Sequence, residues 1–556
     1  MVTLLCAAAA TAMELVPPWV IKIVIDDVIQ AKQAALLPWV LAGLIGAYIL
    51  KNAFASLRIR LNNRLEQIVV HELRTDVFAS LQRLSISYFE KRSTGEIMSR
   101  VSNDTEHVER IFIDGLEGAL TAILTLLGIT IMLFLLNWKL AALSLLPIPI
   151  LMWSAGWFTR RVHGYYHEIR KGSAELNGYL QDALSGIRET MGFNRQAYEQ
   201  DRFAGLSKAY SHSNLKAMYL WSLYSPGMIL IGSLGTVLIV WYGAQEVLNG
   251  RLTIGELVMF LSYLALFYVP INQIHSVNHM LQHALAASDR VFDVLDAVPE
   301  VRDRPGLIHP EKNLLGDVRF QQVEFRYRPD VPVLNGISVH VPSGERVALV
   351  GPSGAGKTTM LKLLMRFYDV SSGSISIDGT DVRDFPLEYL RRQIGFVQQE
   401  PFLFNGTVRE NILYGDLYAG HDRVQEAARL ARAHDFIMDL PEGYETCVGE
   451  RGVKLSVGQK QRVSIARVLL KNPPIVIFDE ATSNIDTETE VKIREAMNDL
   501  TKNRTTFIIA HRLSTLQDVE RILVVDAGRV VEEGSHAGLL ARNGLYAALY
   551  DAQFQA

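Results

Sequence analysis

Two cysteines in 556 residues, Cys6 and Cys447, are too few and too far apart for a disulfide framework or a cysteine-based metal site. A basic surplus is missing as well. The 55 Lys and Arg against 59 Asp and Glu leave a formal charge of −4, which excludes the electrostatic footprint of a nucleic-acid binder. Charge is absent altogether from the stretches 118–136, 140–159, 217–245 and 257–288. Each reaches the ~20 residues that cross about 30 Å of hydrocarbon. Segments 2–29 and 36–57 carry few charges and supply two more, which predicts six spans. The second half contains no tryptophan: all seven lie before residue 242. A composition of 49% hydrophobic and 21% charged residues therefore averages two unlike halves.

The apolar start of the chain has the look of a secretory leader, but no basic residues precede it and the apolar pattern runs on to Val28, so a first span is expected. Lys and Arg crowd the connectors 58–110 and 160–202 and are sparse in the others, which places both long connectors and the C-terminal half in the cytoplasm. Helical spacing with few Pro or Gly predicts that the spans continue as helices through these connectors. The composition changes between 296 and 316, where Pro299, Pro305 and Pro310 punctuate the chain, and the expected domains are a six-span membrane domain over 1–300, a linker over 301–316 and an α/β domain over 317–556. In the α/β domain short β-type runs at 318–325, 346–350, 394–397, 475–478, 505–509 and 522–525 predict a largely parallel sheet.

Gly351, Pro352, Ser353, Gly354, Ala355, Gly356, Lys357, Thr358 and Thr359 spell G-x-x-x-x-G-K-S/T between a β-type run and a helical one. Glycines let backbone N–H groups turn inward around phosphate oxygens, and the helix N-terminus adds a favourable dipole. Lys357 is expected to reach the β- and γ-phosphates and Thr358 to ligate Mg²⁺. The apolar run 475–478 ends in Asp479 and Glu480, two carboxylates at a strand's C-terminal edge. Asp479 suits a Mg²⁺ partner, and Glu480 suits polarisation of an attacking water.

The run Leu455, Ser456, Val457, Gly458, Gln459 then completes an ordered set with Tyr327, Gln399, Val448 to Gly452, Ser483 to Asp486 and His511. On these motifs the chain resembles, over its whole length, the ATP-binding cassette (ABC) proteins, and six spans fused ahead of one cassette resemble an exporter half-transporter of the multidrug and lipid exporter kind. The resemblance implies a cassette with a helical signature subdomain, working with ATP and Mg²⁺. It implies that Tyr327 stacks on adenine, that Gln399 joins the metal or water, and that Glu480 and His511 are catalytic. Ser456, Val457, Gly458 and Gln459 would act on the ATP of a second chain, with Asp486 in the D-loop. The chain departs from the family pattern in three places: Val457 replaces glycine, Ser483-Asn484-Ile485-Asp486 replaces the commoner Ser-Ala-Leu-Asp, and Cys447 replaces a glutamate. Retention of both Glu480 and His511 favours a homodimer over a heterodimer.

The resemblance further implies an ATP-driven exporter of the cell (inner) membrane with the cassette in the cytoplasm. Its partners would be the bilayer, a second half-transporter and an amphipathic drug-like or lipid substrate. A lipid A or phospholipid flippase is the narrower alternative, and an ATP-gated channel or regulator the one of another class. In the spans, Glu14 is a candidate cavity residue, with Lys22 and Asp26 two and three turns further on; mutual pairing or snorkelling near a membrane face is the plainer account. His275, His279 and His283 share one helix face by their i, i+4, i+8 spacing. Cavity lining, a wet helix face and a metal site are the three readings of that stripe.

Overall fold

The uncharged stretches of the first half fold into long helices. The computed structural model describes residues 2–308, 310, 314–479, 487–510 and 519–554; the side chains of His275 and His279 lie outside that description. Among the described residues, five helices are long and apolar enough to cross a membrane: Val2–Gln30, Ala34–Arg83, Thr94–Leu136, Trp138–Ser185 and Gln196–Leu248. A sixth long helix, Ile254–Leu295, contains a shorter apolar stretch, Ile254–Phe267. Helices continue through both charged connectors, as their spacing predicts: Leu37–Arg83 runs for 47 residues and Gln196–Leu248 for 53.

The chain forms two compact units. One comprises residues 1–79 and 97–296; the other comprises 80–96 and 297–556. In the first unit local sequence sets the helix ends. Asn137 caps the helix Trp138–Leu145 by accepting from the Lys139 and Leu140 amides, and Thr253 with Glu256 forms a capping box at Ile254. The first span is not one regular helix. It breaks at Leu15, restarts with prolines in its first turn and ends as a π-helix over Val24–Gln30. Its charged residues do not pair with one another. Glu14 bonds Lys51 at 3.0 Å and Lys22 bonds Glu256 at 3.1 Å. Asp26 accepts from the Gly255 amide and the Thr253 hydroxyl at the start of the sixth helix. The break at Leu15 separates Glu14 from the other two, and Lys22 and Asp26, though four residues apart, each find a partner in the first turn of the sixth helix, at Glu256 and at Thr253 and Gly255.

Among the described residues, the second unit holds ten strands in two sheets. They are β1 (Val318–Arg328), β2 (Val331–Val341), β3 (Arg346–Val350), β4 (Ser372–Ile377), β5 (Thr380–Asp381), β6 (Ile394–Val397), β7 (Ile475–Asp479), β8 (Thr505–Ile509), β9 (Arg521–Asp526) and β10 (Arg529–Gly534). One sheet has the order β10-β9-β3-β8-β7-β6, parallel from β9 to β6, with β10 antiparallel at its edge. The other, β2-β1-β4-β5, is antiparallel throughout. The expectation of one largely parallel sheet containing 318–325 is thus corrected. β1 alternates buried and exposed residues, as an antiparallel sheet with one wet face requires, whereas β8 is buried along its whole length. Val323, Phe325, Leu334 and Ile337 of the antiparallel sheet pack with Val347, Leu349 and Phe507 into one core. A second core, built on Val397, Val463, Ile465 and Phe478, lies under the helical part of the cassette.

Candidate nucleotide site

The loop after β3 is shaped by three glycines with positive φ: Gly351 at 152°, Gly354 at 80° and Gly356 at 105°. Two of them are also held by contact. A Cβ on Gly351 would stand 2.0 Å from the Val525 carbonyl oxygen, and one on Gly356 would stand 2.6 Å from a Leu334 methyl. Such a loop admits no other residue at these points without moving its walls. Lys357 opens the helix Lys357–Leu364 and turns back over the loop, its Nζ donating to the carbonyls of Gly351 at 2.7 Å and Pro352 at 2.8 Å. Ser353, Gly354 and Thr358 are exposed, while Ala355, Gly356 and Thr359 are buried. The arrangement leaves a concave run of backbone at a helix N-terminus, which is an anion cradle.

Two supports of this cradle are not visible as sequence motifs. The Gly528 amide donates to the Ala355 carbonyl at 3.1 Å, and the Asn335 amide donates to the Gly528 carbonyl at 2.9 Å. The β9–β10 turn and β2 therefore clamp the phosphate loop from outside. Gly528 has a φ of 75° and a Cβ there would stand 2.3 Å from the Val333 carbonyl oxygen, and the Asn335 side chain donates to the Ala527 carbonyl at 2.9 Å. Both positions need their residue types, but neither belongs to a spaced motif.

Tyr327, on β1, is partly exposed and its ring meets those of Phe325 and Tyr368 edge-on at 4.8 and 5.1 Å. Its hydroxyl lies 3.3 Å from Thr359 Oγ1. Asp479 ends β7 half-buried, in register with Ile509 of β8, and Gln399 is exposed two residues beyond β6. Thr358, Asp479 and Gln399 thus follow strands of the same parallel sheet at their C-terminal ends. Glu480, Asp486 and His511 lie outside the described residues.

The signature residues open a different helix, Val457–Lys471. Ser456 is its N-cap and forms a capping box with Gln459, whose side chain accepts from the Ser456 amide at 2.9 Å. Gly458 is buried in the first turn, and Val457 is 51% exposed. The extra side chain at 457 therefore points away from its own cassette. This helix packs against β6 and against the helices Val408–Leu413, His421–Leu430 and Thr487–Thr501. β6 lies three strand positions from β3, roughly 14 Å at ordinary strand spacing. Cys447 is exposed and forms a bridge pair with Thr407.

A further element joins this unit from far away in sequence. The short helix Ile86–Glu90, from the first connector, sets Ile86 on the cassette core. Its Glu90 accepts from Lys362 at 2.9 Å, one turn into the phosphate-loop helix, and from the Tyr368 hydroxyl at 2.6 Å. Burial pushes the Glu90 carboxyl up, but the Tyr368 and Lys362 hydrogen bonds and the Lys362 charge outweigh it and hold the group below its ordinary value. Burial and then Glu90 drive the Tyr368 phenol well above its usual range. No sequence motif marked Glu90 or Tyr368.

Comparison with known proteins agrees with this geometry. Residues 1–271 match the ABC transporter transmembrane region family, and residues 334–483 match the ABC transporter family. The chain is 38% identical to an ATP-dependent lipid A-core flippase of Syntrophus aciditrophicus, covering 100% of this chain and 92% of that one. It is 40% identical to a fatty acid ABC transporter ATP-binding/permease protein of Mycobacterium bovis, covering 88% of this chain and 77% of that one. A solved bacterial Atm1-family ABC exporter with ATP bound superposes with a TM-score of 0.83 at 34% identity, covering 99% of this chain and 97% of that one. With the phosphate cradle, the parallel sheet and the multi-span helices all matched over nearly the full length, the chain belongs to the ABC transporters as an exporter-type half-transporter, a multi-pass inner-membrane protein that couples ATP hydrolysis in a cytoplasmic cassette to transport of a substrate across the membrane.

Proposed function

We propose that two copies of this chain form an exporter that moves an amphipathic drug-like molecule or lipid outward, with two shared ATP sites. The observation that carries the pairing is the distance between the phosphate loop, after β3, and the signature helix, packed beyond β6. Ser456 and Gly458 stand at a helix N-terminus suited to a γ-phosphate, yet their own cassette's loop is three strands away. A second chain brings the two halves together. The lipid-directed names of two relatives, the lipid A-core flippase and the fatty acid transporter, favour a substrate with acyl chains.

The metal donors fit the same reading. Thr358 offers a hydroxyl, Gln399 an amide oxygen and Asp479 a carboxylate, an all-oxygen set suited to a hard cation such as Mg²⁺. Held by these three residues, Mg²⁺ would supply positive charge to offset that of the ATP phosphates. Lys357 shifts from the Gly351 and Pro352 carbonyls to the β- and γ-phosphates, the loop amides hold the phosphate oxygens, and Tyr327 takes the adenine. Glu480 orients the attacking water and His511 steadies the γ-phosphate, with Asp486 passing contacts across the interface. Catalysis is then positioning and electrostatics. In the membrane, Glu14 and the stripe His275, His279 and His283 are the candidate polar contacts of the substrate cavity.

The test is transport in proteoliposomes loaded with a fluorescent phospholipid or a cationic drug, comparing wild type with Glu480→Gln. Substrate should move only with hydrolysable ATP, and Glu480→Gln should bind ATP yet neither hydrolyse nor transport. Substrate that equilibrates down its gradient on ATP binding alone would replace the exporter by an ATP-gated channel.

A further inference from the structure

Residues 80–96 of the first connector belong to the second compact unit, and inside that unit a cleft of about 190 Å³ lies between them and the cassette. From the connector come Arg83, Ile86 and Phe89; from the cassette come Phe367, Leu387 and Arg391. The cleft is held at its edge by Ser85, whose hydroxyl oxygen accepts from the Val301 amide at 2.9 Å. A drug-sized molecule takes roughly 300 Å³ or more, so this space suits a single ring or a short chain.

Two guanidiniums line this apolar space, and among the described residues neither has a carboxylate partner. Arg391 is fixed by backbone instead. Its Nη2 donates to the Arg366 carbonyl at 2.9 Å and its Nε to the Met365 carbonyl at 3.4 Å, while its Cζ stands 5.3 Å from the centre of the Phe367 ring. Nη1 is left over, with no acceptor among the described residues. The acids of this region are engaged elsewhere. Asp303 accepts from the Leu387 amide at 2.9 Å, Asp369 pairs with Arg366 at 3.0 Å, and Glu388 pairs with Arg392 at 2.6 Å. Burial and then the Arg366 charge push the Arg391 guanidinium down, against the pull of Asp303. The cleft is short of negative charge. A guanidinium held in place without its counter-charge is half of a bidentate pair already formed. Free phosphate would meet the arginines alone and leave the rings uncovered, Phe89 being 39% exposed. A ligand with an acid head and a small apolar body satisfies both parts.

We propose that this cleft binds a small organic anion, a carboxylate carried on a single ring, with its head on Arg83 and Arg391 and its body against Phe89 and Phe367. The site shares no residue with the phosphate cradle. Its walls come from both the connector and the cassette, so an occupant ties the two together and stabilises the folded unit by mass action.

The experiment is fluorine NMR of 4-fluorobenzoate added to the full-length protein in lipid nanodiscs, with empty nanodiscs as the blank for partitioning into lipid. Wild type should broaden the probe resonance saturably, and unlabelled benzoate should reverse the effect. The neutral isostere 4-fluorobenzamide should not bind saturably, which separates the cleft from a merely apolar surface. Trifluoroacetate, an acid head without a ring, should bind about tenfold more weakly. Arg83→Gln, at an exposed helix end, removes one guanidinium, and Phe89→Ala removes one ring. Each should weaken 4-fluorobenzoate about tenfold, and Arg391→Gln should do the same. If Arg391→Gln does not fold once its backbone bonds are lost, the Arg83 and Phe89 variants decide the matter alone. No saturable broadening, 4-fluorobenzamide or trifluoroacetate bound as tightly as 4-fluorobenzoate, or an affinity untouched by either Arg83→Gln or Phe89→Ala would each overturn the site.

Discussion

At Gly351 two separate costs meet, a φ of 152° and a wall 2.0 Å from where a Cβ would stand. Gly354 carries only the first: its φ is 80°, and nothing lies within 4 Å of its would-be Cβ. Gly354→Ala should therefore cost about 1 kcal/mol of cassette stability, the left-handed backbone term alone. Gly351→Ala adds overpacking against backbone and should cost a further 1–3 kcal/mol or so. Differential scanning calorimetry of the two variants checks the ranking, and equal losses would mean the Val525 wall yields freely. Ser456→Ala offers a second comparison, because the hydroxyl is both an N-cap and a proposed γ-phosphate donor. Loss of the cap should cost about 1 kcal/mol. Loss of ATPase beyond what that destabilisation explains would mark the second role, and turnover equal to wild type at a temperature where the variant is folded would remove it. These glycines and Ser456 were legible because a fixed spacing of small residues has one physical use. Asn335 and Gly528 were not: each needs its residue type, Gly528 for its φ of 75° and Asn335 for the side-chain bond to the Ala527 carbonyl, but an isolated Asn and an isolated Gly form no spaced pattern.

Among the elements, β3, β6 and β8 have the bounds that their apolar runs predict, because a strand buried on both faces is written as a continuous apolar segment. β1 was placed in the wrong sheet although its alternation of Val318, Phe320, Val323 and Phe325 with polar residues was there to be read. β2 was missed because Pro332 and Gly336 interrupt it. The helix Ile86–Glu90 was hidden for another reason: five residues are too few for a periodic signal, and the contact that gives the helix its place comes from more than 250 residues away, at Lys362 and Tyr368. That contact carries a prediction. Glu90 touches the phosphate-loop helix through Lys362, and the aromatic set of Tyr327 through Tyr368. Tyr368→Phe keeps the ring packing and deletes one hydrogen bond to a charged group, so folding should be nearly unchanged. ATP-driven transport should fall several-fold more than ATPase activity, because the variant loosens the connector while leaving the loop intact. A parallel fall of both activities would assign Tyr368 to the nucleotide site itself.

For the whole molecule, the deciding fact is that one cassette holds a phosphate cradle after β3 and a signature helix beyond β6, with two strands between. If each working site borrows the signature from a second chain, then lesions in the two parts must complement. Lys357→Ala removes the cation that spans the cradle, and Ser456→Arg blocks the signature, so each variant alone should be inactive. In a mixed dimer both lesions fall into one composite site, and the other site is built from an intact cradle and an intact signature. Equal co-expression with two different affinity tags gives mixed dimers after tandem purification. These should regain up to about half of wild-type ATPase if each site turns over independently, and less if catalysis needs both sites together. Activity in the mixed dimer is thus expected to exceed that of either parent by a wide margin. An inactive mixed dimer would leave the shared site without support, provided that a dimer carrying Lys357→Ala on one chain and wild type on the other still hydrolyses ATP. That control separates a site confined to one chain from a pair of sites that fire only in concert.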